Sequence, residues 1–145
     1  MGQKINPRLY RLGVGQSLNT RHVAVWYAKP KAFAERLQKD LLIRSHIEKL
    51  YKDAGITGIE IKRPSNIAIN VKIHSARPAR LIGRKGAERD VLATWLTQRL
   101  GCAVHVSIEE FKKPDTSAKL LAEGIASQLE KRVAFRRAMK RSMQS

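Results

Sequence analysis

Three stretches of the chain alternate apolar and polar positions with the period of two that half-buried β-strands show. Their apolar positions are Ile59 and Ile61, then Ile67, Ile69, Val71 and Ile73, then Val104, Val106 and Ile108. The turn sequence Arg63-Pro64-Ser65-Asn66 joins the first two stretches, because proline presets a turn and ends strand pairing. We therefore expect an antiparallel hairpin that begins at Ile56, and a further strand near residues 104–109.

Apolar residues at helical spacing predict three longer helices. The first covers residues 31–54 before Gly55, the second runs from Ala87 to Gly101, and the third begins near Ser117 and continues through 141. On the first helix the predicted apolar side consists of Phe33, Leu37, Leu41, Ile43, Ile47, Leu50 and Ala54. We assign its charged residues, Asp40 among them, to a solvated face with local ion pairs.

A two-glycine turn, Gly83-Arg84-Lys85-Gly86, lies between the hairpin and the second helix and follows a short helical turn that starts at Pro78. Glycines remove the Cβ atoms that would hold a phosphate at a distance, and they allow positive φ values. The free N–H groups of the helix that follows attract anions. Two glycines at this spacing also occur in ordinary helix–helix turns, but the surrounding order of strand, helix, turn, helix and strand favours a grip on nucleic-acid backbone.

Composition adds a strong positive charge to this pattern. The 145 residues include 29 Lys and Arg against 12 Asp and Glu, a formal net charge of +17, and such a chain repels itself without an anionic partner. A membrane surface is one polyanion to weigh, but no apolar run approaches the roughly 20 residues of a spanning helix. Nucleic acid is therefore the expected partner, and we expect no membrane and no small-molecule substrate. The single cysteine, Cys102, excludes an internal disulfide and favours a reducing compartment.

The first thirty residues form a predicted basic extension. Residues 1–30 contain no acid, and their cations include Lys4, Arg8 and Arg11. Because such a segment cannot build its own core, we interpret it as an arm that binds within a polyanion. A disordered tail is the simpler alternative.

A second basic segment lies near the other end of the chain. Residues 131–141 carry six cations and no acid on what the pattern predicts is still helix. Val133, Phe135 and Met139 are expected to be buried, which would turn Arg136, Arg137 and Lys140 outward as one cationic ridge. A solvated charged face is the alternative, and a helix laid along RNA is the interpretation we favour.

The order helix, strand, strand, helix, G-x-x-G, helix, strand resembles a type II KH domain. This resemblance implies an α+β fold, with a three-stranded mixed sheet and helices on one face. It also implies that single-stranded nucleic acid is held at Gly83, Arg84, Lys85 and Gly86. We divide the chain into a basic N-terminal extension (1–30), a type II KH domain with its preceding helix (31–113) and a C-terminal basic helix (114–145).

Three segments together resemble the bacterial-type third protein of the ribosomal small subunit: Met1-Gly2-Gln3-Lys4, Ala76-Arg77-Pro78 leading into the G-x-x-G turn, and Phe135-Arg136-Arg137-Ala138-Met139-Lys140-Arg141. That family implies a structural protein of the subunit head. It implies binding of small-subunit rRNA. From the charge of the acid-free extension we predict Lys4, Arg8 and Arg11 as its contacts with that RNA. The family also implies contact with neighbouring head proteins.

By motif match, Arg136, Arg137 and Lys140 are the cations that line the channel through which messenger RNA enters the ribosome. The family continues into a second αβ domain, which we expect to be absent from this chain. The expected location is a bacterial-type cytoplasmic ribosome or the ribosome of an organelle.

Catalysis finds little support in the sequence. The four histidines lie far apart without metal-ligand spacing, and we interpret them as surface or satisfied side chains. The two-glycine turn lacks the spacer and the Lys-Ser or Lys-Thr of a phosphate-binding loop. We therefore expect no enzyme activity, no cofactor and no metal. A free-standing KH-type assembly factor or regulator, and more remotely a nucleic-acid lyase or nuclease, remain the alternative functions.

Overall fold

The computed structural model describes residues 2–5, 7, 10, 23–65 and 67–144, and only the backbone of Lys85. The predicted contacts Arg8 and Arg11 lie outside the described residues. The strands are β1 (Ala24–Val25), β2 (Ile56–Lys62), β3 (Ala68–Ser75) and β4 (Ala103–Glu110). The helices are α1 (Pro30–Leu50), α2 (Pro78–Ile82), α3 (Ala87–Leu100), α4 (Ala118–Glu130) and α5 (Phe135–Gln144), with short 3₁₀ turns at Lys52–Ala54, Arg84–Gly86 and Pro114–Thr116.

The described strands form one mixed sheet in the order β1-β2-β3-β4. As predicted, β2 and β3 pair antiparallel, with Ile59 opposite Ile73. β3 and β4 pair parallel, with Val71 opposite Val106. The helical crossover between them carries the two-glycine turn, as the KH resemblance implies.

The sheet contains four described strands, one more than the three that were predicted. β1, from the end of the predicted extension, pairs parallel with β2. The N–H groups of Ile61 and Arg63 donate to the carbonyl oxygens of Val23 and Val25, at 3.2 Å each. A sheet edge otherwise presents unpaired N–H and C=O groups, so even a two-residue strand is stabilised there.

The core lies between one face of the sheet and the helices α1 and α3. Its fully buried members are large aliphatic residues, among them Ile43, Ile47, Ile61, Ile69, Ile73 and Leu96. The apolar positions predicted for β2 and β3 face this core, except for Ile67, which precedes β3 and is exposed.

The predicted apolar side of α1 is partly wrong. Phe33, Leu37, Leu41 and Leu50 are exposed, whereas Asp40 is only 3% exposed. At 3.6 residues per turn, Asp40, Ile43 and Ile47 form one stripe, and this stripe faces the sheet. Asp40 was therefore misassigned to a solvated face, because periodicity alone does not show that a carboxylate on the stripe has buried partners.

The predicted single C-terminal helix is broken. α4 ends at Glu130, and Arg132 has a φ of +59°. The N–H of Val133 donates to the carbonyl oxygen of Gln128, and the N–H of Arg132 donates to that of Leu129. These bonds form a Schellman motif, which ends a helix and usually places glycine where Arg132 stands. α5 then begins anew at Phe135.

Candidate nucleic-acid interface

The two-glycine turn requires glycine at both ends. Gly83 has a φ of +67° and Gly86 a φ of +85°, values that disfavour any residue with a Cβ. A Cβ added to Gly83 would also lie 2.5 Å from the Cγ of Glu88. The sequence Gly-x-x-Gly therefore produces a tight backbone turn directly before α3.

The turn presents positive charge next to uncapped backbone. Arg84 is exposed, and the ion pairs among the described residues do not include it. Gly86 provides no side-chain cap at the start of α3, and the N–H of Ala87 donates to the carbonyl oxygen of Arg84 within the turn. Donors for an anion can therefore come only from N–H groups after Ala87 in the first turn of α3. Backbone N–H groups and a guanidinium together suit a phosphate.

Acidic residues limit how far this positive surface extends. Glu88 and Asp90 occupy the first turn of α3. The hydroxyl of Tyr51 donates to Glu88 Oε2 at 3.4 Å, and Asp53 pairs with Arg80 at 3.1 Å. Burial, followed by the charge of Glu88 and this hydrogen bond, raises the pKa of Tyr51, so its hydroxyl remains a neutral donor at neutral pH. Among the described side chains of the turn, Arg84 therefore remains as the candidate contact with an anion.

Helix α5 carries the second group of predicted site residues. Its buried residue is Ala138, and the helix packs against α4. At about 100° per residue, Arg136 and Lys140 lie opposite Ala138, while Arg137 and Arg141 extend the same charged arc to one side. All four are exposed, and none takes part in an ion pair among the described residues. The structure thus places Arg136, Arg137 and Lys140 on one outward surface.

The apolar residues of α5 do not lie where the sequence predicted. Phe135 is 64% exposed and Met139 is 49% exposed, so the expectation that both are buried is wrong. The helix contacts the rest of the chain through the small side chain of Ala138, which allows close approach. Phe135 and Met139 lie on the flank of α5 that faces away from the cations Arg137 and Arg141.

A buried polar cluster, which sequence analysis missed, attaches the end of the predicted extension to the KH domain. The indole Nε1–H of Trp26 donates to Asp40 Oδ2 at 2.7 Å, and Arg63 Nη2 donates to Asp40 Oδ1 at 2.5 Å. The guanidinium of Arg63 also lies 5.9 Å from the centroid of the Trp26 ring. We call these three residues the Trp26–Asp40–Arg63 cluster. The sequence did contain a signal for this cluster. Asp40 precedes Ile43 by three residues and Ile47 by seven, a spacing that places it on the buried stripe of α1.

Arg44 reinforces the same attachment. Its guanidinium donates to the carbonyl oxygens of Ile59 at 2.6 Å and Val23 at 2.5 Å, which joins α1, β2 and the segment before β1. Burial lowers the pKa of Arg44, whereas the carboxylates of Asp40 and Glu48 act in the opposite direction. The extension therefore leaves the domain from a fixed position beside the sheet.

Two of the four histidines, His46 and His74, have structural partners. His74 is buried, and its Nε2 lies 2.9 Å from Glu60 Oε1. His46 stacks on Trp95 with ring centroids 3.5 Å apart, and burial lowers the pKa of His46. Within the described ranges, no group of three or more His, Cys, Asp or Glu side chains is placed to hold a metal ion. No described helix is long and apolar enough to cross a membrane.

Comparison with known proteins agrees with this geometry. A family model described as KH domain matches residues 42–116. Curated proteins named small ribosomal subunit protein uS3 align with all 145 residues. Identity is 45% for the protein of Saccharophagus degradans, 46% for that of Chromobacterium violaceum and 50% for that of Acinetobacter baumannii.

The alignments cover 62%, 60% and 56% of those proteins respectively, so the chain spans about three-fifths of the length of the relatives it matches. The resemblance to the third protein of the small subunit, drawn from three short segments, is confirmed over the whole chain. The α+β type II KH fold is confirmed by the family match together with the order of strands and helices. The chain belongs to the KH domain family.

Proposed function

We propose that this chain is a component of the small ribosomal subunit, in which it binds small-subunit rRNA and contacts messenger RNA and neighbouring proteins of the head. Full-length similarity to proteins named for that subunit supports the assignment. The net charge of +17 supports RNA as the main ligand, because positive surface of this extent is neutralised by phosphates. The role is structural and requires no catalytic group.

The contacts to rRNA are spread over two parts of the chain. The two-glycine turn offers the exposed side chain of Arg84 to a phosphate, and its two glycines with positive φ shape the turn that carries Arg84. The extension offers Lys4, which is exposed, together with Arg8 and Arg11. Because the Trp26–Asp40–Arg63 cluster attaches the extension to the domain, both parts bind the same RNA at high effective concentration.

The proposed contact with messenger RNA rests on the cationic arc of α5, which consists of Arg136, Arg137, Lys140 and Arg141. Arg136, Arg137 and Lys140 point outward, and none is neutralised by a carboxylate of the described chain. Cations one helical turn apart, within about 6–10 Å of each other, hold successive phosphates of one strand. A surface of this kind fits a strand that moves past it, because each contact is an exposed charge pair that forms and breaks easily.

The same surface gives a passive contribution to the unwinding of structured messages. Cations that hold one strand after it separates from its partner disfavour re-pairing, and translation supplies the work of forward movement. The sequence contains no G-x-x-x-x-G-K-[ST] motif that would bind a nucleotide for hydrolysis.

The experiment replaces Arg136, Arg137 and Lys140 with alanine in the full chain. The rate of elongation by ribosomes that contain this variant is then compared on messages with and without a downstream hairpin. We expect normal subunit assembly, because rRNA contacts lie elsewhere, and slower elongation on the hairpin message alone. A matched control removes three exposed lysines from other parts of the chain: Lys31 in α1, and Lys112 and Lys113 in the loop after β4. Equal rates on both templates for the α5 variant would contradict the messenger contact.

A further inference from the structure

Phe135 is a large aromatic side chain that the described chain leaves uncovered. It is 64% exposed at the first position of α5, and Met139 and Met143 follow at four-residue spacing with 49% and 84% exposure. An exposed apolar line of this kind marks a site of interaction. Since Ala138 already provides the contact of α5 with the chain, burial of Phe135 is not needed to hold the helix in place.

The immediate neighbour of this ring is a cation. Arg136 Cζ lies 5.8 Å from the centroid of the Phe135 ring, within the range of a cation–π contact. Lys140 lies one helical turn beyond Arg136 on the same outward surface. The ring of Phe135 therefore borders the line of charges that the proposed messenger contact uses.

Charge decides which partner fits this surface. An apolar protein surface placed over Phe135 would also remove water from the guanidinium of Arg136, which is costly unless the partner brings a carboxylate. A single-stranded RNA satisfies both side chains at once. A base stacks on the ring, and the phosphate of the same strand pairs with the guanidinium.

We propose that Phe135 stacks a base of a single-stranded RNA whose phosphates are held by Arg136 and Lys140. The inference rests on the proposed function and assigns a further residue to its messenger contact. It also explains how the surface distinguishes unpaired RNA. Cations bind the backbone of single strands and duplexes alike, whereas a ring can stack only on a base whose face is not covered by its neighbours in a helix. Stacking is tolerant of sequence, as a surface that meets every message must be.

The first test measures the affinity of the full chain for an unstructured RNA of about eight nucleotides, and for the ribose-phosphate backbone of the same length without bases. We expect Phe135→Leu to weaken binding of the RNA by about 5- to 100-fold, which is the usual effect of losing one stacked base. It should leave binding of the abasic backbone and the dependence on salt unchanged. Leu41→Ala, a change at an exposed apolar residue of α1, should alter neither.

The second test reports on the ring itself. In a Phe135→Trp variant of the full chain, the added fluorescence should be quenched by the RNA and left unchanged by the abasic backbone. Tryptophan introduced by Leu41→Trp, at an exposed position of α1, serves as the matched control and should respond much less. The change in fluorescence reports on the ring at position 135 and does not depend on how much of the total affinity comes from other cations of the chain.

The outcomes separate this inference from the proposed function. If alanine at Arg136 and Lys140 weakens RNA binding while Phe135→Leu and Phe135→Trp behave like controls, stacking is wrong and the cationic contact stands. If Phe135→Leu weakens both ligands equally, the ring acts only through the shape of α5, and stacking is again wrong. If none of these variants changes binding or fluorescence, α5 does not bind RNA, and the messenger part of the proposed function fails as well.

Discussion

Asp40 is a carboxylate held within the hydrophobic stripe of α1. Its two oxygens accept hydrogen bonds from Trp26 and Arg63, and the side chains of Asp40 and Arg63 are only 5% and 7% exposed. A buried charge is stable only when its partner and hydrogen bonds compensate for the lost water. The ion pair therefore holds β1 and the end of the extension in one arrangement against α1 and β2.

Removing the carboxylate should destabilise the protein strongly. We expect Asp40→Ala to lower the free energy of unfolding by about 3–5 kcal/mol, because it leaves the guanidinium of Arg63 buried without its counter-charge. Urea denaturation of the full chain measures this change. The double change Asp40→Leu with Arg63→Met should cost clearly less than Asp40→Ala, since no uncompensated charge remains.

The matched control is Asp53→Ala, which removes a carboxylate whose ion pair with Arg80 is exposed to solvent. Exposed pairs contribute less than about 1 kcal/mol. If Asp40→Ala cost no more than Asp53→Ala, the Trp26–Asp40–Arg63 cluster would not be what attaches the extension.

At the scale of the elements, the junction between α4 and α5 sets the direction of the cationic surface. Arg132 adopts a left-handed conformation, and it is the one described non-glycine residue that does so. This conformation costs a residue with a Cβ about 1–2 kcal/mol. The Schellman hydrogen bonds around Arg132 keep the break in place and start α5 along a new axis.

A glycine should relieve the strain at this junction. We expect Arg132→Gly to raise the free energy of unfolding by about 0.5–1 kcal/mol, since part of the relief is offset by the greater freedom of glycine in the unfolded chain. Arg132→Gln removes the same charge but retains the strained conformation, so it should not give this gain. Ala122→Gly, within α4, should instead destabilise the protein by about 1 kcal/mol. Equal stability of the Gly and Gln variants would contradict the strain at Arg132.

The same elements show what the sequence could predict. The bounds of β2, β3 and β4 were predicted to within about one residue. Each strand buries one face, so its apolar and polar residues alternate with the period of two that successive side chains of a strand show. The end of α3 was predicted from Gly101, which adopts a positive φ value. The predicted end of α1 at Ala54 is wrong by four residues, because α1 ends at Leu50 and Gly55 caps the 3₁₀ turn Lys52–Ala54 that follows. Local chemistry determines such features, so a single sequence contains their signal.

Features that depend on distant partners were missed. β1 consists of two residues and exists because β2 offers an open edge. Asp40 is buried because Trp26 and Arg63, 14 and 23 residues away, meet it. The break after α4 was also missed, because Arg132 stands where a glycine usually marks the end of a helix. The apolar periodicity therefore predicted one continuous helix. The cations of α5 were nevertheless placed on one surface, because their spacing fixes their arc on any helix.

At the scale of the whole molecule, the described carboxylates are largely matched by cations, and the excess positive charge lies elsewhere on the surface. Many carboxylates are paired within the chain, such as Glu48 with Lys119 and Glu109 with Lys72. The positive charge that remains exposed includes Arg84 in the two-glycine turn and the arc of α5. RNA held at several such points is retained even when each contact is weak, because each further contact forms within one complex.

Subunit membership is the central claim, and sedimentation of the full chain in high salt tests it most directly. Electrostatic binding at a single site weakens steeply as salt rises, whereas a component fixed by many contacts within a folded ribonucleoprotein remains. We predict that the chain sediments with small ribosomal subunits in such gradients, at one copy per subunit. A chain found only in the free pool under these conditions would contradict the account and favour a free-standing KH-type RNA-binding factor.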